Sequence, residues 1–101
     1  LLTTEECLLN PNRNPGLSRE DLEQRLADYL GIERVVWLGR GVHRDETDGH
    51  VDNLVCFAAP GVVCLTWTDD RRDPQYAISR EAYERLAEAR DARGRRFEIH
   101  K

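Results

Sequence analysis

The chain has 101 residues, 40% of them hydrophobic and 34% charged, with a formal net charge of −4. That length suits one small domain with a modest core, and no apolar run reaches the roughly eighteen residues of a membrane span. The basic pairs Arg71-Arg72 and Arg95-Arg96 stand beside acidic residues, which argues against a nucleic-acid surface.

In chain order, residues 1–9 read as an extended segment and NPNRNPG, residues 10–16, as a dense turn cluster. Ser18 is placed to cap a helix, because its oxygen can accept a backbone N–H of the first turn. Asp21 echoes the capping box and suits the positive helix end. Leu17 and Leu22 occupy the positions of a hydrophobic staple. Leu22, Leu26 and Leu30 recur every fourth residue, which predicts an amphipathic helix over 19–30, stopped by Gly31. RVVWL, residues 34–38, is β-branched and apolar and predicts a buried strand.

A loop over 39–49 leads to a second predicted strand, 50–58. Ala59-Pro60-Gly61 turns it into a hairpin partner over 62–68. TDDRRDPQ is the next loop. Ser79 then predicts a helix cap, with Tyr83, Leu86 and Ala87 on the apolar stripe and Gly94 as the stop; residues 96–99 predict the last strand. Ser18-Arg19-Glu20 matches Ser79-Arg80-Glu81, and Gly31 matches Gly94, each about sixty residues on. The chain therefore reads as α+β, about one and a half ββαβ modules of a longer array: a partial module over 1–38 and a complete one over 50–101. It opens at LLTTEE with no Met or leader and closes at FEIHK, so both ends read as cut.

Cys7, Cys56 and Cys64 are odd in number and form no CxxC pair, which argues against a disulfide framework and against zinc. Each lies in an apolar, strand-like run and reads as a small buried hydrophobe in a reducing compartment. Trp37 and Trp67 read as core aromatics. Tyr29 and Tyr83 read as packing residues of the two helices.

The charge concentrates in DETDGHVDN, residues 45–53, with four carboxylates, a histidine and a glycine. Strand alternation would put His50 and Asp52 on one face and Val51 and Asn53 on the other, with Glu46 and Asp48 in a loop folding over the first. Three readings stay open. One is a solvated acidic loop beside a strand-ending histidine. Another is a cation site built from the hard oxygens of Asp45, Glu46, Asp48 and Asp52, although the spacing fits no EF-hand. The third is a pocket for a guanidinium group, whose forked N–H donors carboxylates accept in pairs, with His50 as an acid/base at hand.

TEECLLNPNRNP, YLGIERVVWL, DETDGHVDN and PGVVCLTWTDDRRDP resemble agmatine deiminases, in the guanidino-group-modifying superfamily that includes peptidyl-arginine deiminases. The resemblance runs along nearly the whole chain. It implies a five-bladed, pseudo-symmetric α/β propeller of the pentein type. It also implies hydrolysis of agmatine to N-carbamoylputrescine and ammonia in the cytoplasm, on the route to putrescine, by a cysteine nucleophile and without metal or cofactor. His50 would be the general acid/base, Asp52 and Glu46 would hold substrate, and Asp48, Gly49 and Asn53 would support the loop.

The family's glycine-rich nucleophile segment has no match here, and neither has its upstream aspartate with the tryptophan-bearing loop. Strand spacing would put Cys56 roughly 20 Å from His50. Cys64 falls on the far side of the hairpin, and Cys7 corresponds to a plain strand position. None of the three is assigned to catalysis. The expected partners are agmatine or a related guanidino compound and the remainder of a parent chain, with self-association through exposed strand edges and with neither nucleic acid nor membrane. On this reading the isolated chain is inactive. The alternative is a stand-alone module whose acidic loop binds polyamines or arginine-containing peptides.

Overall fold

A computed structural model describes residues 1–44 and 49–101. Strand β1 (Leu2–Thr4) runs into a single-turn helix α1 (Glu5–Leu8), followed by helix α2 (Arg19–Leu30) and strand β2 (Val36–Leu38). A 3-10 turn over Val51–Asn53 precedes strands β3 (Val55–Ala59) and β4 (Val62–Leu65), helix α3 (Gln75–Glu88) and strand β5 (Glu98–His100). The class is α+β. β1 and β2 form a parallel pair, with Thr3 opposite Trp37. β3, β4 and β5 form a second sheet in that order, antiparallel and then parallel. Parallel neighbours need a long crossover, and α2 and α3 supply one each.

α2 forms where the sequence predicts it, because every cue is local. The Ser18 hydroxyl accepts the Asp21 N–H at 3.1 Å, and the Asp21 carboxylate accepts the Ser18 N–H at 3.0 Å. That reciprocal box satisfies two donors that a helix start leaves open. The same bonds hold the Asp21 carboxyl below its ordinary range. Gly31, at φ 68°, ends the helix in the left-handed region.

α3 departs from the prediction at both ends. It starts at Gln75, four residues before Ser79, and stops at Glu88, well short of Gly94. Pro74 has a fixed φ and no N–H, so it fits a helix start, and the Asp73 carboxylate accepts the Gln75 N–H at 2.9 Å. Ser79 is fully buried inside the helix, where its hydroxyl accepts from Gln75 Nε2 at 3.1 Å. The Ser18/Ser79 and Gly31/Gly94 matches therefore do not mark equivalent helix ends. The buried stripe is Ile78, Ala82 and Leu86. Tyr83 flanks it, edge-on to Trp67 at 5.8 Å between ring centroids.

The predicted strand from His50 onward is also shortened. Asp52 and Asn53 favour turns over strands, the Leu54 N–H closes onto the Val51 carbonyl at 2.9 Å, and the ladder begins only at Val55. At the other end of the chain the strand prediction gives way to α1 after Thr4, whose hydroxyl accepts the Cys7 N–H at 3.2 Å.

Val36, Leu38, Leu54, Val55, Val63, Leu65, Ile78, Ala82 and Leu86 make one core that joins both sheets to α3. Beside it, Glu5 Oε1 accepts from Arg85 Nη1 at 2.6 Å and from Arg19 Nη2 at 2.7 Å, which ties α1 to α2 and α3. Arg85 also donates to the Trp37 carbonyl at 3.1 Å.

Several side chains depart from expectation. Tyr29 is 81% exposed instead of packed. Cys7 is buried, but in α1 and not in a strand. Cys56 and Cys64 are exposed, because they alternate with the inward residues Val55, Val63 and Leu65. Among the described residues no helix is long and apolar enough to cross a membrane.

Candidate functional site

The acidic motif meets the N-terminal strand at Gly49. This glycine is buried and left-handed, at φ 71°. The Thr4 hydroxyl donates to its carbonyl at 2.6 Å, and a Cβ at Gly49 would overlap the Glu6 carboxylate. Glu6 in turn accepts the Gly41 N–H at 2.7 Å. A Cβ at Gly41 would strike the Gly49 backbone. The two glycines are therefore packed back to back, pinned from the β1–α1 junction by Thr4 and Glu6. On the approach to the loop, the His43 N–H donates to Gln75 Oε1 at 2.8 Å, and Arg44 takes up a left-handed backbone at φ 60°.

His50 follows directly. Its backbone is extended, at φ −56° and ψ 146°. Its ring atom Nε2 is buried and has no hydrogen-bond partner among the described residues. Buried polar atoms are nearly always paired, so an open imidazole nitrogen is a place where a ligand or another group can engage.

Asp52 and Asn53 lie in the 3-10 turn and are exposed. The alternation argument for His50 and Asp52 therefore has no strand to act on. A 3-10 turn advances a third of a revolution per residue, so a spacing of two does not by itself bring side chains to one face. Asp52 lines an open groove with Asn53, Leu54, Cys56, Cys64 and Thr66, and His50 is not among the groove's lining residues. The Asn53 carbonyl accepts from the Thr66 hydroxyl at 2.9 Å. The 20 Å estimate for Cys56 assumed a continuous strand from His50 and lapses with it.

Glu46 and Asp48 lie outside the described residues, as does Asp45. Among the described residues no group of three histidine, cysteine or carboxylate side chains is arranged to hold a metal ion. Sequence reasoning missed Thr4, Glu6 and Gly41. The only signal was the pairing of TTEE with two glycines flanking the acidic run, and no periodicity connects segments that far apart.

A Pectobacterium atrosepticum protein is 61% identical over 101 residues, which are all of this chain and 27% of its own. An agmatine deiminase of Pseudomonas fluorescens is 55% identical over the same 101 residues, again all of this chain and 27% of the relative. In three dimensions the chain is similar to agmatine deiminase of Enterococcus faecalis, with a TM-score of 0.93 and 51% identity over 99% of this chain and 27% of that one. The chain thus spans about a quarter of the length of the relatives it matches, and it has the mixed α+β structure of that part of the pentein-type propeller. The sequence profile of the Porphyromonas-type peptidyl-arginine deiminases matches residues 1–101, end to end, and the chain belongs to that family.

Proposed function

We propose that these residues form part of an agmatine deiminase that hydrolyses agmatine to N-carbamoylputrescine and ammonia. The observation that carries the reading is the buried Nε2 of His50, which has no hydrogen-bond partner among the described residues, next to a glycine fixed by Thr4. An imidazole held at its backbone with one nitrogen open is suited to moving a proton. Similarity to agmatine deiminases over the whole chain supports the substrate class.

In this mechanism a cysteine thiolate attacks the guanidinium carbon. Ammonia departs with a proton from His50. His50 then takes a proton from water, which attacks the same carbon and releases the product and the thiolate. Asp52 and Glu46 accept N–H groups of the cation, and Asp48, Gly49 and Asn53 support the loop. The nucleophile is supplied from outside the 101 residues. Residues 50–101 form one complete ββαβ module and residues 1–38 a partial one, and the reaction belongs to a cytoplasmic route to putrescine.

The test is His50→Ala in the longer polypeptide that carries these residues. Ammonia release is expected to fall by about 10²–10⁴, while calorimetry shows that agmatine still binds. A variant that turns over within a few-fold of its parent would overturn the role.

A further inference from the structure

Cys56 and Cys64 play no part in that chemistry, yet the hairpin brings them together. They are direct partners across the antiparallel β3–β4 ladder. Side chains that face each other in such a pair emerge on the same side of the sheet. Both thiols are free and exposed, and both line the groove that also holds Asp52 and Thr66. The ladder bond from the Thr66 N–H to the Leu54 carbonyl, 2.8 Å, lies two residues away and fixes the register. That bond makes Cys56 and Cys64 a hydrogen-bonded pair, whose Cα atoms lie about 5.5 Å apart, within the roughly 4.4–6.8 Å that a disulfide spans.

The geometry points to Cys56 and Cys64 as a cross-strand dithiol, a modification site that reacts with low-molecular-weight disulfides such as oxidised glutathione and closes to an internal disulfide. In the first step one cysteine sulfur attacks a glutathione sulfur. The glutathione S–S bond breaks, a protein–glutathione bond forms and one glutathione thiolate leaves. The facing cysteine then attacks the protein sulfur of that mixed disulfide and expels the second glutathione. The pair loses two electrons and two protons, and both end on the two molecules of reduced glutathione. An exposed cysteine with no neighbour would stop at the mixed disulfide. The strand register keeps the second thiol facing the first, so this pair can go further.

The longer polypeptide that carries these residues is incubated with excess oxidised glutathione, quenched in acid and mapped by mass spectrometry. The expected map contains one cross-linked peptide joining Cys56 to Cys64, with no glutathione on either and the buried Cys7 still reduced. Cys56→Ser should stop at a stable glutathione adduct on Cys64. Lasting adducts on both cysteines of the unsubstituted chain, disulfide-linked dimers as the main product, or two unreacted thiols would each overturn the proposal. The unsubstituted chain alone decides the matter, so the result does not depend on the variant folding.

Discussion

Glu5 takes charge-assisted hydrogen bonds from two arginines, and the bond from Arg85 does most to hold its carboxyl below the ordinary range. A carboxyl depressed in the native state contributes stability above its unfolded value and loses it as pH falls through the lowered native value. The contribution is therefore full above about pH 5 and fades on acidification. Glu5→Gln is expected to cost about 1 kcal/mol at neutral pH, given the partial exposure of all three side chains. It should also flatten the acid side of the plot of melting temperature against pH. A variant with an unchanged acid limb would show that the cluster is ornamental. At Gly49, alanine would meet both the left-handed φ and the Glu6 carboxylate. A loss of about 1–2 kcal/mol from the backbone alone is expected in a denaturant titration, with further loss if Glu6 must release the Gly41 N–H.

At the level of elements, the two long helices show what can be read from a sequence and what cannot. α2 carries its own instructions in Ser18 and Asp21 at one end and Gly31 at the other, while of the leucines every fourth residue between them only Leu22 is buried and Leu30 is 66% exposed. α3 does not. Its first N–H is taken by Asp73, across Pro74, while Ser79 has the composition of a cap and sits in the interior. The two serines should thus answer differently to substitution. Ser18→Ala is expected to cost about 1 kcal/mol and to speed amide exchange in the first turn of α2. Ser79→Ala should leave exchange at the start of α3 unchanged and act instead through Gln75, whose amide it would deprive of an acceptor. Faster exchange at Glu81 and Ala82, the N–H groups that a cap at Ser79 would hold, would restore the cap assignment. The candidate site divides in the same way. The run DETDGHVDN is conspicuous in sequence, whereas Thr4 reaches its Gly49 from 45 residues away and Glu6 holds Gly41, just before the run, from 35 residues away, beyond any local pattern.

The whole molecule is flat, with principal extents of 41 × 33 × 19 Å. Among the described residues each sheet ends in open edges: both strands of the two-stranded pair, and β3 and β5 of the other. Phe57 on β3 is 52% exposed. Unpaired strand edges are templates for further pairing, so the isolated chain is expected to associate as its concentration rises. Sedimentation velocity checks this, and a single monomer boundary across the micromolar range would count against it. The core that joins both sheets to α3 explains why neither half is a separate unit, although the repeat in the sequence suggests two.

The partner of Glu5 in α3 arrives 80 residues after it. A ribosome adds about 5–20 residues per second, so α1 waits several seconds before this tether exists. During that interval α1 is held to α2 through the bond from Arg19, and the hydrophobic side of β2 lacks the helix that later covers it. Translation speed and holdase chaperones are thereby given a window in which to decide how much of this polypeptide reaches its native state.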